Sequence, residues 1–247
     1  MKTKRVEIDK VKDTSPIIPQ RNKIKTLISI RERNDLTEKQ KQFLQLALNK
    51  DTKIIFVSGP AGTSKTFMAI YCALKLLNER RVSDLIYVRS AVECSDSKIG
   101  FLPGLIEEKM SPYIQPLIDK LEELLPKNEI EMLKKEARVI GMPISFLRGL
   151  NWNAKSVILD EAQNCTYKEI FTFITRIGEF SKVFVLGDPD QSDLKNGNKN
   201  GFENMISKFD DDESKQNGIY VFRFSEDDIV RSKLIRFIIN KLNRTVV

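Results

Sequence analysis

Histidine is absent from all 247 residues. That excludes Ser-His and Cys-His nucleophile pairs and histidine-ligated metals, and it leaves chemistry to carboxylates, lysine, arginine and oxygen-bound cations. Cysteine is scarce as well: Cys72, Cys94 and Cys165 are odd in number and scattered. Such usage argues against a disulfide framework and for free thiols in a reducing compartment. No apolar run approaches the ~20 residues that span a bilayer, and the opening Met1-Lys2-Thr3-Lys4-Arg5 lacks the apolar core of a signal peptide. The expectation is a soluble, cytoplasmic protein with no membrane contact.

Acidic charge is lacking only at one end. Residues 1–50 hold 13 Lys/Arg against 6 Asp/Glu, whereas residues 51–247 hold 28 of each, so the net charge of +7 belongs to the first fifth of the chain. A basic arm attracts polyanions, nucleic acid being the usual one; a solvated tail that aids solubility is the alternative, since no aromatic residue interleaves with the charges before Phe43 to stack on bases. Pro16 and Pro19 break any long element there. The expected organisation is a basic, weakly structured extension over residues 1–35 and one domain over residues 36–247.

What is present is a near-complete phosphate loop. Gly59-Pro60-Ala61-Gly62-Thr63-Ser64-Lys65-Thr66 follows the apolar run Ile54-Ile55-Phe56-Val57 and precedes the helix-like Phe67 to Leu74. Glycines let the backbone turn its N–H groups onto a polyphosphate, and the helix start adds partial positive charge. Lys65 is placed to reach the β- and γ-phosphates of ATP and Thr66 to ligate Mg²⁺. The strict pattern has glycine where this chain has Ser64. A side chain there must accept a left-handed backbone, at ~1–2 kcal/mol, or crowd the phosphates.

The rest of the chain supplies the context. Val157-Ile158-Leu159 runs into Asp160-Glu161, and a buried strand ending in two carboxylates is costly unless they serve a cation. Asp160 is expected to hold Mg²⁺ through its water shell, and Glu161 to polarise the water that attacks the γ-phosphate. Val183 to Leu186 leads into Gly187-Asp188-Pro189-Asp190-Gln191, which brings the Gln191 amide to the same sheet edge, where it could sense the γ-phosphate or orient water. Thr37-Glu38-Lys39-Gln40 reads as a capping box opening a helix through Leu48. Gln40 then has a structural role, or alternatively reads the adenine edge.

Further elements are expected as strands at Leu85–Arg89, Ile144–Leu147 and Gly218–Phe224, and as helices at 114–125, 130–137, 167–177 and 229–242. Short buried strands alternating with helices predict an α/β fold, a mostly parallel sheet with helices on both faces.

Several blocks in fixed order, Gly59 to Thr63, Gly100-Phe101-Leu102-Pro103-Gly104, Lys109, Pro112-Tyr113, Arg148-Gly149, Asp160-Glu161-Ala162-Gln163-Asn164, Thr175-Arg176-Ile177-Gly178, Gly187-Asp188 with Gln191, Asp193 and Leu194, and Asp228-Ile229-Val230-Arg231, resemble the PhoH-like ATPases over about residues 36–242. Departures are Ser64 and Ser90, where a proline usually follows the arginine. The resemblance implies a RecA-like P-loop NTPase core related to the first motor domain of superfamily 1 helicases, a compact phage-type member, ring-shaped homo-oligomers such as hexamers, ATP hydrolysis and action on RNA. A single core implies that the arginine stabilising transition-state charge comes from a neighbouring subunit, with Arg231 and Arg176 as candidates. An ATP-driven motor on single-stranded RNA or DNA, with loops near Gly100–Gly104 and Arg148 on the strand, and a nucleotide-gated assembly or docking module both fit. A small-molecule kinase fits less well, because Glu161 beside Asp160 suits water activation.

Overall fold

The apolar runs become six strands: β1 (Ile54–Ser58), β2 (Asp84–Arg89), β3 (Val139–Pro143), β4 (Lys155–Asp160), β5 (Lys182–Gly187) and β6 (Ile219–Arg223). The computed structural model describes residues 27–90, 106–147, 149–191 and 201–230. The strands form one sheet in the order β3-β2-β4-β5-β1-β6, and every pairing is parallel. Parallel strands need crossovers, and the helices that supply them cover both faces.

The two-residue period of the strands divides the core. Ile55, Val57, Leu85, Tyr87, Ile158, Phe184 and Leu186 face α1 (Glu38–Leu48), α2 (Lys65–Asn78), α3 (Ile106–Leu124) and α4 (Lys127–Lys135). Their neighbours Phe56, Ile86, Val88, Val157, Leu159, Val183 and Val185 face α5 (Tyr167–Ile174) and α6 (Gly201–Phe209). Each such side chain contributes ~1.5–3 kcal/mol when fully buried. A short α7 (Asp212–Gln216) precedes β6. The α/β, RecA-like expectation is met: β5 lies between β1, which feeds the phosphate loop, and β4, which ends in the acidic pair. All three deliver their C-terminal ends to one edge.

Local differences from the sequence reading have physical causes. Ile144–Phe146 is a 3-10 turn, not a strand; the strand is Val139–Pro143 just before it. Gly141 and Pro143 disguised that strand, which tolerates them because β3 ends the sheet and pairs only with β2. Helices α6 and α7 were not anticipated. The expected helix at 229–242 falls from residue 231 onward outside the described residues.

Residues 27–36 carry no regular secondary structure, yet they are pinned as a strap. Ile28 is buried, its N–H donates to Asn78 Oδ1 at 2.9 Å, and Asn78 Nδ2 returns a bond to its carbonyl at 2.8 Å. Arg31 N–H donates to Leu124 O at 2.8 Å, while Tyr71 Oη and Lys75 Nζ both donate to Glu32. Thr37 and Gln40 then form the expected capping box, worth ~1 kcal/mol.

At the opposite end of the strands, Lys182 is 4% exposed and donates to the carbonyls of Asn49, at 2.7 Å, and Thr52. A neutral amine has two N–H donors, enough for both. Burial, reinforced by the Arg81 charge, pushes Lys182 down to about 7. Unfolded, it titrates near ~10.4. Between these values the unfolded chain binds the additional proton, so this group makes stability rise with pH from about 7 to 10. In urea titrations of the whole chain, Lys182→Met should flatten that rise relative to wild type; an unchanged slope would show that Lys182 is not its source.

Candidate functional site

The C-terminal ends of β1, β4 and β5 open into a cavity of about 490 Å³. Ala61, Gly62, Ser64, Lys65 and Thr66 line it. Gly59, Pro60 and Thr63 shape the loop from behind: a Cβ on Gly59 would meet Phe224 Cβ at 2.7 Å, and Thr63 Oγ1 donates to Pro60 O at 2.9 Å. Gly62 has φ +88°, a conformation that glycine adopts without penalty.

Ser64 takes the first of the two outcomes left open by the sequence. Its φ of 64° and ψ of 25° are left-handed, and its hydroxyl makes no cap bond to α2. The loop therefore keeps the geometry that a glycine would give, at a conformational cost.

Lys65 Nζ donates to Gly59 O at 2.5 Å and Pro60 O at 3.0 Å. Burial lowers its pKa, opposed by the charges of Asp188, Asp160 and Glu161. The ammonium is thus held at the loop mouth, facing three carboxylates. Thr66 Oγ1 lies 3.1 Å from both Asp160 oxygens. Asp160 also accepts from Tyr87 Oη at 2.6 Å and from the Glu161 N–H at 3.1 Å. Burial, then the Glu161 charge, raises the Asp160 pKa. These donors orient the carboxylate without neutralising it, which fits a hydrated divalent cation beside the Thr66 hydroxyl. Among the described residues there is no cluster of three or more Cys, Asp or Glu that could hold a metal alone. The donor set instead suits a cation shared with phosphate oxygens.

Glu161 follows in a left-handed conformation, φ 55°, which turns its side chain away from the strand's alternation. Gln163 Nε2 donates to its Oε2 at 2.6 Å, and Arg89 lies 3.7 Å from its Oε1. Gln163 Oε1 in turn accepts the Asp188 N–H at 3.1 Å. This amide ties the ends of β4 and β5 together. Asp188 is buried, with its pKa raised by that burial and lowered by Lys65. The sequence reading missed Tyr87, Arg89, Gln163 and Asp188 as site residues. A usable signal existed for Tyr87, since a phenol amid Leu-Ile-Tyr-Val needs a partner for its hydroxyl.

Gln191 is exposed and lines the cavity, and buried Gln40 lines it too. Gln40 Oε1 accepts the Thr37 N–H at 3.1 Å, so the capping role is realised and the amide still borders the cavity. Arg176 follows α5, where its carbonyl accepts the Trp152 N–H. That is the N-terminal edge of β4, across the sheet from the phosphate loop, and Arg176 Nε is buried without a partner among the described residues. Arg231, Arg148 and the segment from Gly100 to Gly104 lie outside the described residues. Cys72 and Cys165 are free and buried; Cys94 lies outside too.

Replacing Ser64 by glycine removes the left-handed penalty, so Ser64→Gly should stabilise the chain by ~1–2 kcal/mol in urea unfolding. A loss of stability would mean that the serine side chain contributes a contact greater than its strain.

The sequence profile described as PhoH-like protein matches residues 33–243. The chain is 35% identical over 208 residues to a PhoH-like protein of Mycobacterium tuberculosis (strain ATCC 25618 / H37Rv), covering 84% of this chain and 57% of that protein. To a PhoH-like protein of Bacillus subtilis (strain 168) it is 35% identical over 202 residues, 81% of this chain and 61% of the relative. To Protein PhoH of Escherichia coli (strain K12) it is 33% identical over 225 residues, 90% and 57% respectively. The chain therefore spans between 57% and 61% of the length of these relatives. Among solved structures, the Pif1 helicase from Candida albicans aligns with a TM-score of 0.43 at 17% identity, over 84% of this chain and 43% of that one. With a phosphate loop, an acidic strand end and a profile match over most of its length, this chain belongs to the PhoH-like protein family.

Proposed function

We propose that the chain is a Mg²⁺-dependent ATPase whose turnover is coupled to single-stranded RNA. The observation that carries this reading is the convergence of Lys65, Thr66, Asp160 and Glu161 on one cavity. Lys65 exchanges its loop carbonyls for β- and γ-phosphate oxygens. Thr66 and, through water, Asp160 hold Mg²⁺, which when bound neutralises charge on those phosphates. Glu161 accepts the proton of the attacking water, with Gln163 fixing its rotamer and Gln191 orienting the water. Phosphoryl transfer also needs a positive group on the developing charge. Arg176, placed across the sheet from its own loop, and Arg231 are the candidates for supplying it to a neighbour in a ring-shaped oligomer such as a hexamer. The charge surplus of residues 1–50 supports a polyanionic strand as partner. Cytoplasmic placement belongs to the same proposal; no helix among the described residues is long and apolar enough to cross a membrane.

One feature favours a second reading, a nucleotide-gated assembly or docking module with weak hydrolysis. Both oxygens of Glu161 are engaged, one with Gln163 and one near Arg89, so the base must be released before it can act.

Steady-state ATP turnover with and without single-stranded RNA separates the two. The motor reading expects strong stimulation, lost in Glu161→Gln, whose turnover should fall about a hundredfold or more while ATP still binds. Lys65→Ala should abolish ATP binding. Turnover near zero and indifferent to RNA would support the gating module, and wild-type turnover in Glu161→Gln would remove the assigned base.

A further inference from the structure

The cavity is lined by the strap as well as by the phosphate loop. Arg33, Asp35 and Leu36 of the strap line it together with Gln40 of α1, Phe67 of α2, and Lys120 and Glu123 of α3. The Arg33 guanidinium lies over the Phe67 ring, 4.9 Å from its centroid. Its Nε and Nη2 donate to the two Asp35 oxygens, each at 2.8 Å. The guanidinium carbon thus sits over the ring, two of its N–H groups are fixed, and the residue lines the cavity. A guanidinium held flat is a stacking surface for a nucleobase, a use that lysine cannot replace.

Gln40 sets what that surface can read. Its oxygen accepts the Thr37 N–H, and its Nε2 has no acceptor among the described residues. A fixed amide with a donor to spare seeks an acceptor on the base. Ring nitrogen N7 is such an acceptor in both adenine and guanine; pyrimidines offer carbonyl acceptors but only one ring, so the preference for purines rests on the larger area stacked on the guanidinium. Telling adenine from guanine through this amide would need its oxygen to accept the adenine amino group as well, and one of the two lone pairs of that oxygen is already committed to the Thr37 N–H.

Resting on the assignment of Lys65 and Thr66 to the triphosphate, we propose that Arg33, stacked on Phe67 and locked by Asp35, is the base platform of the site, and that with Gln40 it selects purine over pyrimidine nucleotides without distinguishing ATP from GTP. The strap thereby becomes part of the binding site. Nucleotide selectivity is set upstream of the phosphate loop.

The test is calorimetric titration of the full chain with ATP, GTP, CTP, UTP and inorganic tripolyphosphate, all with Mg²⁺. ATP and GTP should bind within about threefold of each other and about tenfold or more above CTP, UTP and tripolyphosphate, the increment of one stacked base with its hydrogen bond. Arg33→Ala should remove about that tenfold from ATP and GTP and leave tripolyphosphate unchanged. Arg33→Lys, which keeps the charge beside Asp35 and loses the plane, should do the same, so a folding defect in one variant does not decide the matter. Equal binding of ATP and tripolyphosphate by wild type, or of all four nucleotides, would overturn the platform and leave the phosphate site standing. A parallel loss of tripolyphosphate in both Arg33 variants would also overturn it, making Arg33 a phosphate ligand. Failure of wild type to bind any of the five would remove the phosphate site and the platform together.

Discussion

Asp160 is a carboxylate with 5% exposure at the end of a strand buried on both faces. Three hydrogen-bond donors surround it: the Thr66 hydroxyl, the Tyr87 phenol and the Glu161 N–H. All three are neutral groups. They align the carboxylate without neutralising it; the Arg89 and Lys65 charges lie near, yet burial and the Glu161 charge still raise its pKa. Much of the surrounding architecture can be understood as holding this group in place. The register of β2 on β4 sets Arg89 opposite Asp160 and so places Tyr87 on the same face one pleat back. Helix α2 begins so that its second residue, Thr66, meets the carboxylate from the loop side.

The same edge carries a second connected set. Gln163 joins Glu161 to the backbone of Asp188, across the ends of β4 and β5, and the Asp188 carboxylate shares its charge with Lys65. Lys65, Asp188, Gln163 and Glu161 thus form one connected set at this edge of the sheet. Arg89, on the other side of Glu161, stands at the C-terminal end of β2. Interactions at that end of β2 thus bear directly on the position of the Glu161 carboxylate.

How much of this was legible in the sequence depends on the range of each interaction. The phosphate loop, the acidic strand end and the Thr37-Gln40 box are local patterns whose geometry follows from neighbouring residues, and they appear where the residues placed them. Ser64 is the sharpest case: the missing glycine left either a left-handed residue or crowding at the phosphates, and φ is 64°. Tyr87, Gln163 and Arg33 act through partners set by sheet register or by the docking of the strap, and nothing in their own neighbourhoods announces those partners. The strand at Val139–Pro143 was hidden by its glycine and proline. Arg33 and Glu32 belong to a stretch whose composition resembles a loose tail, yet tertiary bonds to Tyr71, Lys75 and Asn78 order it.

The central claim is that the buried Asp160 carboxylate exists to serve a cation shared with a bound triphosphate. The direct measurement is the affinity of ATP for wild type and Asp160→Asn, each titrated with and without Mg²⁺. The account predicts that Mg²⁺ strengthens binding about tenfold or more in wild type, as expected of a charge-assisted contact in a buried site, and has little effect in the variant. Equal dependence on Mg²⁺ in both chains, or none in either, would contradict it.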